Sequence, residues 1–269
     1  MPIIASAFLP PSPLLIPEIG KQNYNLLHKT VKAYQAVAEI LKKEEAEIIV
    51  IISPHGKAQD QNVSFNIHPQ LAISFQEFGY LATVKTLTPA LRLADDIQQQ
   101  LGREEGIKLS AEKHLDYGSA IPLHLLSADL KAPKVLSLLP AAKKDRNYHY
   151  QFGQKLGEIL HKRPEKIAII AAGDLSHRLK KNSPAGYSPN GARFDNRVIE
   201  YLNDRENGRE KLLNLDDKIA EEALESGLKQ LSLLLGIMGE TCEAQILAYQ
   251  NDFGVGYLSV NFNLQLAVI

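Results

Sequence analysis

Residues Ile167–Leu179 (IAIIAAGDLSHRL) constrain the chain more than any other stretch. The run Ile167–Ala172 holds no polar residue, so a strand here has to be covered on both faces, as in a parallel sheet flanked by helices. Gly173 ends the run, and Asp174, Ser176, His177 and Arg178 follow at once. In an open α/β sheet ligands bind where strands end, because the loops there gather around one crevice. A carboxylate, a hydroxyl, an imidazole and a guanidinium at such a point are candidates for chemistry. Asp174 and Ser176 also suit a plain turn, which is the structural alternative.

The same grammar recurs along the chain. Pro2–Leu9 suits a first strand, stopped by Pro10, Pro11 and Pro13, which force an extended loop. Apolar spacing predicts a helix over Tyr24–Lys43, and Glu47–Ile52 reads as a buried strand ended by Ser53-Pro54-His55-Gly56. Short β segments are expected near Val63–Ile67, Leu71–Phe75 and Ile107–Leu109, with a helix over Pro89–Leu101 between them. The turn His114–Gly118 feeds a helix beginning near Ser119. Strand Lys134–Leu139 and helix Tyr148–His161 precede the central strand. Lys180–Ala192, with two prolines, reads as an exposed loop. Helices are expected over Ala192–Asn203, Asp216–Glu225 and Leu228–Gly239, and Ala244–Gln250 and Val255–Phe262 form a hairpin. No repeat or linker divides the chain. One αβα domain over residues 1–269, with a central mostly parallel or mixed sheet, accounts for this pattern.

Composition narrows the function. Lys+Arg of 30 against Asp+Glu of 31 leaves a net charge of −1, so nothing calls for nucleic acid or a membrane surface as partner. Cys242 is the single cysteine, which excludes an intrachain disulfide and fits a reducing cytoplasm. The apolar start is broken by prolines and lacks a preceding basic residue, so it reads as neither signal peptide nor membrane span.

If the strands are parallel neighbours, the loops Pro10–Pro13, Ser53–Gly56 and Gly173–Arg178 open on one edge, joined by the turn Asp116–Gly118. His177 has the stronger claim to chemistry than His55, since Asp174 lies close enough in sequence to orient its imidazole. Asp174, Ser176 and His177 contain the residue types of a hydrolase triad. Triads, however, are assembled from distant parts of a chain, and no G-x-S-x-G elbow is present. No G-x-G-x-x-G or P-loop pattern supports nucleotide binding.

Taken in order, FLPPSPLLIPEIG at the start, VIISPHG at 50–56, LDYGSAIPLHLL at 115–126, IAAGDLSHRL at 170–179, EEALESGL at 221–228 and DFGVGYLSV at 252–260 resemble the class III extradiol ring-cleavage dioxygenase (LigB-type) family. The subgroup they look most like is the Memo-like proteins and their microbial relatives. The resemblance implies an αβα, LigB-like domain with a divalent metal, typically Fe(II), at the strand ends. Two histidines and a glutamate, or a cysteine in some relatives, would hold it with open positions for substrate and O2. It implies an oxidoreductase acting on catecholic or related aromatic substrates.

Carried over residue by residue, the pattern is partly degenerate. Pro11 stands where the first metal histidine is expected, and Ser12 beside it is a poor ligand. His55 keeps the second metal position. Tyr117 stands in place of a catalytic histidine, while Asp174 and His177 are kept. Glu225 and Ser226 fall in the third ligand region, where Ser226 replaces a thiol. Proline cannot ligate, so Fe(II) or another divalent metal is expected to bind weakly or not at all. A metal shell rebuilt from His55, His177 and a carboxylate of Asp174 or Glu225 is one reading. The other is a non-catalytic protein whose cleft holds a small aromatic or anionic ligand through Ser176, Arg178, Tyr117 and His177, alone or as a homo-oligomer.

Overall fold

A computed structural model describes residues 2–240 and 242–264. Its elements in chain order are β1 (Ile3–Leu9), α1 (Pro17–Gly20), α2 (His28–Lys43), β2 (Ile48–Ile52), β3 (Ser64–Asn66), β4 (Leu71–Phe75), β5 (Tyr80–Pro89), α3 (Leu91–Glu105), β6 (Lys108–Ser110) and α4 (Tyr117–Leu126). They continue with β7 (Lys134–Leu139), α5 (Arg146–Leu160), β8 (Ile167–Ala172), α6 (Pro189–Asn203), α7 (Gly208–Leu213), α8 (Asp217–Ala223), α9 (Leu228–Met238), β9 (Cys242–Gln250) and β10 (Tyr257–Leu264).

The main path of the sheet runs β4-β5-β7-β2-β8-β1-β10-β9. Strands β5, β7, β2, β8 and β1 are mutually parallel, whereas β4, β10 and β9 join antiparallel at the two sides. The sheet is therefore mixed with a parallel centre, as the continuous apolar runs of β2 and β8 require. Their residues divide by the two-residue period of a strand. Ile48, Val50, Ile52, Ile167, Ile169 and Ala171 face the core built with α3, α5, α6 and α9. Ile49, Ile51, Ala168, Ile170 and Ala172 face the opposite core built with α2 and α4. Helices on both faces make one α/β domain of three layers.

Register positions the site. Leu9 of β1 pairs with Ala172 of β8, and Ile52 of β2 pairs with Ala171, so three strands end at one level. The loops that follow start side by side on the carboxyl edge.

Local differences from the sequence reading have physical causes. Residues Lys21–Leu27 wind as a 3-10 segment, so α2 begins at His28 rather than Tyr24. Strand β5 was not anticipated; it pairs with β4 and with the first residues of β7. Helix α6 begins at Pro189, with the Ser188 side chain accepting from the Asn190 N–H, which shortens the expected 180–192 loop. Helix α7 was also not foreseen. Among the described residues no helix is long and apolar enough to cross a membrane.

Candidate functional site

The loop after β8 is built by close backbone approach. A side-chain carbon at Gly173 would lie 2.4 Å from the Cα of Gly227, so glycine at both places lets the strand end touch the 223–227 segment. That segment then clasps the loop. Ser226 N–H donates to the Asp174 carbonyl (3.1 Å), His177 N–H to the Ala223 carbonyl (3.0 Å), and Ser176 Oγ to the same carbonyl (3.1 Å). From the other side, Leu175 N–H donates to the Gly256 carbonyl and Gly256 N–H returns to the Ser176 carbonyl, each at 2.8 Å. Ser176 is fully buried in these bonds, which is a structural task.

This scaffold brings Asp174 and His177 together. Asp174 Oδ2 lies 3.6 Å from His177 Nε2, while the other ring nitrogen, Nδ1, lies 2.7 Å from the Leu224 carbonyl. A carbonyl accepts only, so Nδ1 carries the proton in the neutral ring and Nε2 faces the carboxylate. Burial opposes a charge on His177. The Asp174 carboxylate at 3.6 Å, with the Leu224 carbonyl and Glu225, outweighs burial and raises its pKa. The dyad expected from sequence spacing is formed, with the imidazole tuned toward protonation.

His55 sits at the end of β2, its N–H donating to Ser53 Oγ (3.2 Å), and Ser53 in turn donates to Asp116. Asp116 also accepts from Ser119 at the start of α4, which fixes the Asp116–Gly118 turn against the β2 loop. Tyr117 thereby stacks on His55 with ring centroids 4.0 Å apart, and Phe78 meets Tyr117 edge-on at 5.6 Å. Burial lowers the His55 pKa, with Asp174 pulling it back and His177 adding to the drop. Burial, then Asp174, Glu77 and Asp116, push Tyr117 up to about 12. Its phenol is a hydrogen-bond donor at neutral pH and a very poor base.

Two further tyrosines bond to the β1 loop, and neither is marked by a local sequence pattern. Tyr34 is pushed well up by burial and by Asp174, and its hydroxyl donates to the Pro10 carbonyl (3.0 Å). Tyr257 is pushed to about 12 by burial and Asp174, and its hydroxyl accepts a long bond from Ser12 Oγ (3.4 Å). Tyr257 lies inside DFGVGYLSV, where a phenol among glycines was the available clue.

Other expected site residues are occupied elsewhere. The Glu225 carboxylate accepts from the N–H groups of Gly227 and Leu228, both at 2.7 Å, and so caps α9. Arg178 reaches the carbonyls of Glu222 (3.3 Å) and Tyr187 (3.4 Å); an Asp174 pairing is not among its contacts. Pro11 is buried, with Ser12 as its neighbour in the chain. Beneath the loop, Asp195 of α6 is fully buried. Its carboxylate accepts from the Ser176 N–H (2.9 Å) and the Tyr249 hydroxyl (2.6 Å). Burial drives its pKa to about 7 against those bonds.

Three buried atoms of the β2 and β8 loops, Asp174 Oδ1, His55 Nε2 and Arg178 Nε, have no hydrogen-bond partner among the described residues. Two imidazoles and a carboxylate are suitable donors for a divalent cation. Yet among the described residues no group of three or more His, Cys, Asp or Glu side chains stands where it would hold a metal ion. Among the described residues the three-ligand iron plan is not assembled. A cavity of about 930 Å³ lies away from this edge, around Arg209, Tyr150 and Cys242.

Residues 6–259 match the family described as the catalytic LigB subunit of aromatic ring-opening dioxygenase. Protein CA_C1420 of Clostridium acetobutylicum is 29% identical over 260 residues, covering 93% of this chain and 55% of its own length. The chain thus spans about half the length of that curated relative. An uncharacterized protein, JW3007 of Escherichia coli K12, shares the fold at a TM-score of 0.70 and 18% identity, with 96% of this chain and 99% of the other covered.

Proposed function

Because the chain belongs to the family of the catalytic LigB subunit of aromatic ring-opening dioxygenases, we propose that its carboxyl edge is a binding site for a small aromatic ligand, without the family's iron chemistry. One observation carries this reading. Asp174 Oδ1 and His55 Nε2 are buried at one edge with no protein partner, and a buried polar atom left unpaired costs about 1–3 kcal/mol. A ligand hydroxyl or amine meets that need. The stacked His55–Tyr117 pair offers a flat aromatic wall, and His177 offers a proton donor whose orientation is fixed by Leu224. Pro11, Tyr117 and Ser226 favour the same reading, since each replaces a side chain that the family's chemistry uses. It treats residues 1–269 as one LigB-like unit of Memo-like type in a cytoplasmic setting.

The experiment pairs elemental analysis of protein purified without chelators with calorimetric titration of catechol. The expected result is substoichiometric metal, with catechol binding weakened at least about tenfold in His177→Ala. Stoichiometric first-row metal that disappears in His55→Ala, together with oxygen uptake on catechol, overturns the reading. It would establish instead a ring-cleaving oxidoreductase with a shell rebuilt from His55, His177 and Asp174.

A further inference from the structure

We propose that the Asp174 edge selects a small aromatic ammonium ion over an aromatic anion. This rests on the binding-site reading above and assigns the charge of its occupant.

Asp174 is 7% exposed, and His177 is its ion-pair partner among the described residues. A buried carboxylate requires pairing or hydrogen bonding, and one of its two oxygens has neither. The basic side chains that follow in sequence do not supply it. Arg178 is held by the Glu222 and Tyr187 carbonyls, and Lys180 by the Asp252 carbonyl (3.1 Å). Among the described residues Asp174 makes no ion pair with a lysine or arginine, so an anion entering here meets a carboxylate backed by one imidazole.

The surrounding rings act in the same direction. Tyr117 stacks on His55, the Tyr34 hydroxyl donates to the Pro10 carbonyl and the Tyr257 hydroxyl accepts from Ser12 Oγ, so the phenols set on the β1 and β2 loops bring no charge of their own. The unpaired Asp174 oxygen supplies the charge-assisted hydrogen bond that an ammonium group takes, and a neutral aromatic face attracts the same cation through its quadrupole. The His55–Tyr117 stack, buttressed by Phe78, suits the aromatic portion of the same molecule. Arg178 spends its two terminal nitrogens on the Glu222 and Tyr187 carbonyls, and an occupant at Asp174 needs a protonated amine more than a carboxylate.

Three probes with one hydroxyphenyl ring test this by calorimetry on chelator-treated protein at about pH 8: tyramine as the cation, tyrosol as the neutral analogue and 4-hydroxyphenylacetate as the anion. Tyramine is expected to bind at least about tenfold more tightly than 4-hydroxyphenylacetate, with tyrosol between them. In Asp174→Asn the tyramine-to-tyrosol ratio should collapse to within about twofold. Equal or tighter binding of the acid, or an amine preference that survives Asp174→Asn, overturns the inference and leaves the binding-site reading standing. Failure of all three probes to bind overturns both. If Asp174→Asn does not fold, the ranking of the probes on the wild-type chain decides.

Discussion

The loops after β1 and β8 start at the same level of the sheet, Leu9 beside Ala172, yet they are held by opposite means. The β8 loop is fixed by hydrogen bonds to four other segments: Leu9 at the end of β1, Gly256 on one side, Ala223 and Ser226 on another, and Asp195 beneath. It presents two ionisable side chains. The β1 loop is stiffened chiefly by prolines at 10, 11 and 13, whose ring nitrogens donate nothing, and takes one side-chain bond from Tyr34 at the Pro10 carbonyl. Its polar contribution is Ser12, whose hydroxyl makes one long contact to Tyr257. Chemistry at this edge is thus one-sided. The β2 and β8 loops bring His55, Asp174 and His177, and the β1 loop brings a rigid apolar wall.

The contrast breaks most severely at Gly173. Gly173→Ala places a carbon 2.4 Å from the Cα of Gly227, a backbone atom that cannot rotate aside. The expected cost exceeds about 3 kcal/mol in chemical denaturation, with failure to fold at the extreme. A melt matching wild type would show that the clasp of the β8 loop is slack.

Asp195 comes next. Asp195→Ala strands the Ser176 N–H and the Tyr249 hydroxyl, with an expected loss of about 2 kcal/mol at neutral pH. Its pH dependence has a definite sign. The folded pKa of about 7 lies above the ordinary value of 3.8, so the folded state holds the proton more tightly than the unfolded chain. Its contribution is fully present below pH about 4 and is lost as pH rises to about 7. Thermal melts across that window should show a decline in wild type that Asp195→Asn flattens. The same slope in both would place the titration elsewhere.

The smallest expected effect sharpens the comparison from the other side. Pro11→His restores an imidazole on the β1 loop, and Zn(II) affinity should rise at least about tenfold over wild type. An unchanged titration would mean that position 11 does not face His55 and His177.

What was legible in the sequence followed from local pattern. The apolar runs of β2 and β8 announced a covered parallel sheet, and the polar turns ending them announced its active edge. Asp174 and His177 meet because both lie on a single turn, a distance that sequence spacing can carry. Glu225 reads in the motif as a ligand candidate, and the sequence alone does not reveal that its carboxylate also accepts from the first N–H groups of α9, because that depends on where the helix starts. Asp195 was invisible for a different reason. Within ARFDNRV it looks like one polar residue on an amphipathic helix. Its burial depends on Gly256, where any side-chain carbon would sit 2.1 Å from its Oδ2. That is a meeting of residues 61 positions apart. Strand β5 and helix α7 lacked a decisive period, and tertiary pairing settled them.

The Tyr249–Asp195–Ser176 chain has one mechanical consequence. Tyr249 sits on β9, the outermost strand on its side of the sheet, while Ser176 lies between the two ionisable groups of the β8 loop. One phenol and one carboxylate thus tether the margin of the sheet to its chemical edge. The 2.6 Å bond leaves little slack: sliding β9 by about 1 Å would carry the phenol out of hydrogen-bonding range. A strand added to that margin, or a pull on it, would be felt at His177 before any side chain in the cleft had moved.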